Sequence, residues 1–262
     1  MPVTDLELLT DAAREAGRIA TRFSGKTAKT WHKPGDLGPV TEADLAVNDM
    51  LHAELAAARP GYGWLSEETE DTAARLDQEM VFIIDPIDGT RSFIEGANTW
   101  AHSLAIARNG IVTAAAVYLP LKDKMYTAAA GQGAFLNGVP IRASKRVDLT
   151  GASMIAAKPN FDTSNWRRGL VPDVKRAYRP SLAYRLSLVA EGRFDSMLTL
   201  RDSWEWDIAA GDLILREAGA TVTDRFGAPL RFNNLHPQVK GVVAAGPALH
   251  TDLAARLAQW PG

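Results

Sequence analysis

The stretch Asp85-Pro86-Ile87-Asp88-Gly89-Thr90 constrains this chain most. It is entered through Val81-Phe82-Ile83-Ile84, a short apolar run with β-branched residues, which reads as a buried strand. A strand is a stiff platform, so its last residue is well placed. Pro86 fixes its own φ and removes a donor, which predicts that the chain leaves the sheet there. Two carboxylates this close repel, and one carries a raised pKa unless a cation lies between them. Gly89 permits a tight backbone path, and Thr90 is expected to cap a following helix with its N–H towards an anion. The pattern suits an oxygen-ligand metal site beside a phosphate seat. It also suits a plain acidic turn, because Asp, Pro and Gly are ordinary turn residues.

The rest of the chain narrows the classes. With 262 residues, 46% of them hydrophobic, it can bury a full core as one large domain or two small ones. A net charge of −2 gives no broad basic face for nucleic acid. The absence of cysteine excludes disulfides, thiolate metal sites and cysteine nucleophiles, and is in line with a cytoplasmic protein. Asp5, Glu7 and Asp11 make the N-terminal segment unlike a secretory signal. Charged and polar interruptions such as Arg108-Asn109 leave no apolar stretch of bilayer-spanning length, so no membrane partner is expected.

Helical spacing of Leu6, Leu9, Ala13, Ala16, Ile19 and Ala20 predicts a helix over residues 5–23, capped by Thr4. A Gly-, Lys- and Pro-containing loop follows over residues 25–40, with Lys33 and Asp36 expected to be solvated. Thr41 with Asp44 forms an acidic capping pair for a second helix, so Asp44 has both a structural and a functional reading. Residues 61–65 lead as a short strand into Ser66-Glu67-Glu68. Asn109-Gly110 and Asn137-Gly138 between β-rich runs predict hairpins in an antiparallel meander. Short strands and helices then alternate. The pattern predicts an α+β chain of two domains: residues 1–140, with an antiparallel sheet and most of the acidic site, and an α/β domain of residues 141–262. Asp207 lies near the start of an apolar helix in the second, where a cap or dipole partner is the simple explanation.

Glu67, Asp85 with Asp88, and Asp207 thus form three acidic points. Converging, they would supply hard oxygen ligands, and Mg²⁺ is the natural ion when substrate phosphate completes the shell. The five histidines, His32, His52, His102, His236 and His250, lack ligand spacing and read as ordinary.

Glu67-Glu68 after a short strand, Asp85 to Thr90, and Trp206-Asp207-Ile208-Ala209-Ala210-Gly211 together resemble the inositol monophosphatase superfamily over nearly the whole chain. The resemblance implies a layered αβαβα sandwich of the kind shared with fructose-1,6-bisphosphatase, Mg²⁺-dependent phosphomonoester hydrolysis with two or three ions, lithium sensitivity and a homodimer. It places Glu67, Asp85 and the Ile87 carbonyl around one ion, and Asp85, Asp88 and Asp207 around a second. Glu67 also helps a third. Asp44 and Thr90 match the pair that orients the attacking water, so Asp44, Glu67 and Thr90 form the implied catalytic group. Asp88, Gly89, Thr90 and Asp207 border the substrate, with the Gly89 and Thr90 N–H groups on its phosphate.

Arg91 stands where nucleotidases often have a basic residue, whereas inositol phosphatases usually read Gly-Thr-Thr-Asn-Phe. Leu200 stands where those enzymes commonly carry an acid for ring hydroxyls, although the loop with Arg201 and Asp202 can differ in path. Arg185 replaces a lysine of the similar bacterial nucleotidase segment, where a cation can pair with a second phosphate. The expected substrate is a 3′(2′),5′-bisphosphate nucleotide such as 3′-phosphoadenosine 5′-phosphate. The alternatives are inositol 1-phosphate, histidinol phosphate or fructose 1,6-bisphosphate. A non-catalytic phosphate-binding protein is the alternative of another class.

Overall fold

The computed structural model describes residues 3–23, 26–33, 35 and 38–258. Asp36 lies outside them. Four sheets organise the described residues. The largest has seven strands in chain order: β3 (Gly63–Ser66), β4 (Met80–Asp88), β5 (Ala101–Arg108), β6 (Ile111–Leu119), β7 (Lys124–Ala129), β8 (Ala134–Leu136) and β9 (Val139–Pro140). β3 pairs parallel with β4, and every later neighbour is antiparallel. The second sheet runs β11 (Lys175–Ala177), β10 (Ser153–Ala156), β12 (Ser196–Thr199), β16 (Val242–Ala245) and β14 (Thr221–Thr223). Two short pairs complete the set: β1 (Thr30–His32) with β2 (Pro39–Thr41), and β13 (Ser203–Trp204) with β15 (Gln238–Val239).

Helices fill three layers around the two large sheets. α1 (Asp5–Ala20) and α2 (Glu42–Ala58) cover one face of the seven-stranded sheet, where Leu9, Ala13, Leu51 and Leu55 share a core with Phe82, Ile84, Leu104 and Ile106. α4 (Leu182–Ala190) and α5 (Glu205–Glu217) lie on the other face, where Leu186, Leu213 and Ile214 join Ile83 and Val117 to Met197 and Ala244 of the second sheet. α6 (Pro247–Arg256) closes the outside with Leu249 and Leu253 on Met154, Leu198 and Val243. The order is helix, sheet, helix, sheet, helix, the expected layering. A strand alternates its side chains between faces, and β4 has an apolar layer on each. This is why its sequence is a continuous apolar run.

Both Asn-Gly hairpins form, with Asn109, Gly110, Asn137 and Gly138 at positive φ. The first helix has its Thr4 capping box but ends at Ala20, three residues before the predicted end. β1 escapes the sequence reading because its three residues are all exposed and carry no alternation. Pro86 does not end its strand: β4 continues to Asp88, with a break in register between Asp85 and Asp88. A bulge frees proline from donating to the ladder, so the chain stays in the sheet. The five-residue helix after it, α3 (Thr90–Ile94), is capped by Gly89 at φ 97°, and Thr90 is its first residue rather than its cap. None of the described helices is long and apolar enough to cross a membrane.

α4 and α5 approach closely through Gly211. A Cβ there would lie 2.5 Å from Leu186 Cδ1 and 2.6 Å from Leu186 Cβ. Gly211→Ala should therefore destabilise the protein by about 1–3 kcal/mol through overpacking. Urea denaturation checks this, and an unchanged midpoint would refute the close contact.

Candidate active site

The break in β4 decides which way the acids point. Asp85 stands opposite Ser103 and Asp88 opposite Ala101, so three steps on β4 match two on β5. On a regular strand, residues three apart face opposite sides. The extra residue restores the parity and turns both carboxylates towards α4 and α5. There Asp88 Oδ2 accepts from Ser181 Oγ and from the Ala183 N–H, both at 2.6 Å. Asp88 is thereby anchored on the first turn of α4, a long-range contact that its local sequence does not signal.

Glu67 follows β3, the parallel neighbour of β4, and its N–H donates to Ile84 O at 3.2 Å. Asp207 is the third residue of α5. These two elements and β4 bring ligand-capable oxygens of Glu67, Asp85 and Asp207 within 4.8 Å of one another. Both carboxylate oxygens of Asp85 are buried without a hydrogen-bond partner among the described residues. Burial, then the charges of Glu67, Asp88 and Asp207, push the Asp85 carboxyl well above its ordinary range. Burial, then Asp88 and Glu67, do the same to Asp207. Burial also raises Asp88 to about 6, against the lowering effect of its bonds to the start of α4.

Glu205, two residues before Asp207, makes the contrast. It is as deeply buried as Asp85, yet it accepts from the N–H groups of Asn233 at 2.6 Å and Asn234 at 2.9 Å, and from Asn234 Nδ2 at 2.7 Å. Glu205 is a satisfied structural acid; Asp85 is not. An unpaired buried charge is strongly unfavourable, and a hard divalent cation is the partner that several converging carboxylates accept together. The three acids brought together, Glu67, Asp85 and Asp207, therefore fit Mg²⁺, with the Asp88 carboxylate as their charged neighbour.

Asp44 carries both of its sequence readings at once. Its Oδ2 accepts from the Thr41 N–H at 2.8 Å and Thr41 Oγ1 at 2.5 Å, completing the α2 capping box. Its Oδ1 lies 3.3 Å from the Thr90 hydroxyl, which is also 3.2 Å from Ile87 O. Burial raises Asp44 to about 6, with the Thr41 bonds opposing. Lys33 is not the solvated loop residue expected. Its Nζ bridges Glu67 Oε1 at 2.8 Å and Glu68 Oε1 at 2.7 Å. Burial and the neighbouring Glu67 lift Glu68 to about 7. Behind this pair, Arg75 binds Asp71 and reaches Asn233 Oδ1 at 2.6 Å and Asn234 O at 2.9 Å. The segment after Glu68 is thus tied to the turn that holds Glu205 and the start of α5.

The two arginines differ in use. Arg185 donates through Nε to Arg179 O and through Nη2 to Pro180 O, and lies 4.4 Å over the Tyr178 ring. Arg91 is exposed on α3, and its side chain makes no hydrogen bond or ion pair with another described residue. Leu200 is buried, and Asp202 is held by Arg225 Nη1 at 3.0 Å and Lys240 Nζ at 2.7 Å. A cavity of about 320 Å³ opens beside Glu67, walled by Trp204, Trp206 and His236. The two tryptophan rings stack at 4.7 Å.

Two outcomes follow from the crowded acids. Raised carboxyl pKa values mean that the fold holds protons the unfolded chain has released. This contribution favours folding at low pH and is lost as pH rises through about 6 to 7, the region of Asp44, Asp88 and Glu68. The rise in Tm on adding Mg²⁺ should therefore be larger at pH 8 than at pH 5; an equal rise would refute the site. Asp85→Asn should raise the metal-free Tm at pH 8 by removing a repelling charge, yet lower kcat by at least about 100-fold. Thermal melts and turnover measure the two effects separately.

Known proteins resemble this chain in sequence and in fold. The family model described as the inositol monophosphatase family matches residues 3–260. An inositol-1-monophosphatase of Mesorhizobium japonicum is 34% identical over 256 residues, covering 92% of this chain and 91% of that protein. A histidinol-phosphatase of Mycobacterium tuberculosis is 34% identical over 260 residues, covering 95% of each. The structure of an inositol monophosphatase from Thermotoga maritima superposes with a TM-score of 0.81 at 28% identity, covering 95% of each chain. With its acids gathered between the two sheets and residues 3–260 matched, the chain belongs to the inositol monophosphatase family of phosphatases.

Proposed function

We propose that this phosphatase hydrolyses phosphomonoesters with Mg²⁺ held by Glu67, Asp85, Asp88 and Asp207, the Ile87 carbonyl assisting. The unpartnered Asp85 carboxylate is the observation that carries this reading. Bound Mg²⁺ supplies acidification of water and neutralisation of charge on the phosphoryl oxygens. The chain supplies position and proton transfer. Thr90 Oγ1, 3.3 Å from Asp44 Oδ1, orients the attacking water, and Asp44 takes its proton. A carboxyl raised to about 6 suits a base working near neutral pH. The N–H groups of Gly89 and Thr90 hold a phosphoryl oxygen. No covalent intermediate is required. The family resemblance adds a homodimer, lithium inhibition and a third ion beside Glu67 to the same reading.

Among substrates, the reading favoured is a 3′(2′),5′-bisphosphate nucleotide. Arg91 supports it as an uncommitted cation one residue beyond the phosphate seat. The stacked Trp204 and Trp206 beside the site offer a surface for a planar base. A polyol gains less, since Leu200 has no acid to offer and Asp202 is paired with Arg225 and Lys240. Arg185, with two donor groups already used, contributes less than its position in the sequence suggested. Inositol 1-phosphate is the second reading, favoured by the name of the Mesorhizobium relative.

A panel of 3′-phosphoadenosine 5′-phosphate, inositol 1-phosphate and histidinol phosphate tests the choice. The bisphosphate should have a kcat/KM at least about tenfold above the others, equivalent to about 1.4 kcal/mol. Equal or better turnover of inositol 1-phosphate overturns it. Arg91→Ala should lower kcat/KM on the bisphosphate about tenfold and leave the monophosphates within about threefold. Uniform loss across the panel would refute the role of Arg91.

A further inference from the structure

His102 lies on β5 facing the α1 and α2 layer, in register with Trp100, Leu104 and Ile106. Those neighbours are apolar, as that face of the sheet requires. A polar ring among them needs a reason. It is fully buried, with its Nδ1 bonded to the carbonyl of Pro86 and its Nε2 without a partner among the described residues. A carbonyl only accepts, so Nδ1 carries the proton and Nε2 is the bare nitrogen. Burial holds the ring pKa down at about 4, so it is neutral.

The ring is boxed in. Trp100 meets it edge-on at 5.4 Å, and Tyr118 lies 6.5 Å away. Tyr118 in turn closes on α1 at Gly17, where a Cβ would fall 2.6 Å from Tyr118 Cε1. The imidazole is thus packed in an aromatic cluster that reaches α1 through Tyr118.

Pro86 sits inside the bulge that carries Asp85 and Asp88 to one face. A bulge interrupts the ladder and leaves backbone groups needing other partners. The His102 N–H meets that need for Pro86 O, from the face opposite to the acids. An apolar residue at 102 would satisfy the layer but leave the carbonyl unpaired and the bulge peptide free to rotate.

We propose that His102 is a positioning residue: by clamping the Pro86 carbonyl it fixes the bulge, and with it the spacing of Asp85 and Asp88 for a divalent cation. The proposal rests on reading those acids as the metal site. Mg²⁺ titration of the wild-type protein and of Asp85→Asn by calorimetry, without substrate, tests that reading separately. Equal binding by the two would overturn the metal site itself.

Three substitutions then test His102. An Asn amide nitrogen can take the place of Nδ1, whereas a Gln amide nitrogen falls where Nε2 was. His102→Asn should keep Mg²⁺ affinity within about threefold of wild type. His102→Gln and His102→Leu should weaken it at least about tenfold, with kcat recovering at saturating Mg²⁺. A purely structural role predicts a lower Tm with unchanged Mg²⁺ affinity in all three. That result overturns the proposal, as does an Asn variant as weak as the Gln variant. Should His102→Leu fail to fold, the Asn and Gln pair decides alone.

Discussion

The site depends on carboxylates held together against their own repulsion. Asp85 is buried with neither oxygen hydrogen-bonded among the described residues, and the charges acting on it most are those of other acids. Left alone, such a group favours its protonated form and pushes its neighbours apart. The surrounding structure opposes this by anchoring three of the neighbouring acids through different supports. Asp88 is tied to the start of α4, Asp44 to the cap of α2, and Glu67 to Lys33. What remains unsatisfied is concentrated on the oxygens that face one another. That arrangement suits a small, doubly charged ion.

The layers explain how three distant segments meet. β4 brings its acids to the edge of the core between the sheets, and α5 crosses that core to bring Asp207. One bulge makes the meeting possible, because regular alternation would send Asp85 and Asp88 to opposite faces. The same bulge gives Pro86 a place in the sheet and directs its carbonyl to His102. Motif, bulge and buried histidine are three aspects of a single constraint on backbone parity.

Substrate choice lies outside this frame. The groups that the proposed preference for a bisphosphate nucleotide invokes lie beyond the gathered acids: Arg91 exposed on α3, Asp202 between two cations, and the paired tryptophans. They can vary without disturbing the acids. Members of one family can therefore share the hydrolytic centre and differ in the ester they accept.

By itself the sequence placed the acids at the ends of their elements, and its resemblance to a known family implied the layering and the phosphatase class. Glu67, Asp85, Asp88 and Asp207 are legible because each lies at the end of a strand or the start of a helix whose pattern is local. The Thr41–Asp44 cap and the Asn-Gly hairpins are local for the same reason. Only the tertiary structure decided that Pro86 stays within its strand and that Lys33 bridges two glutamates. It also assigned Arg185 to a backbone loop, and His102, whose spacing marks it as ordinary, to the bulge. Each of these is a contact between residues far apart in the chain or packed from opposite layers. Local spacing carries no information about which donor will meet which carbonyl across a core. Burial makes that pairing obligatory, and only the fold names the partner.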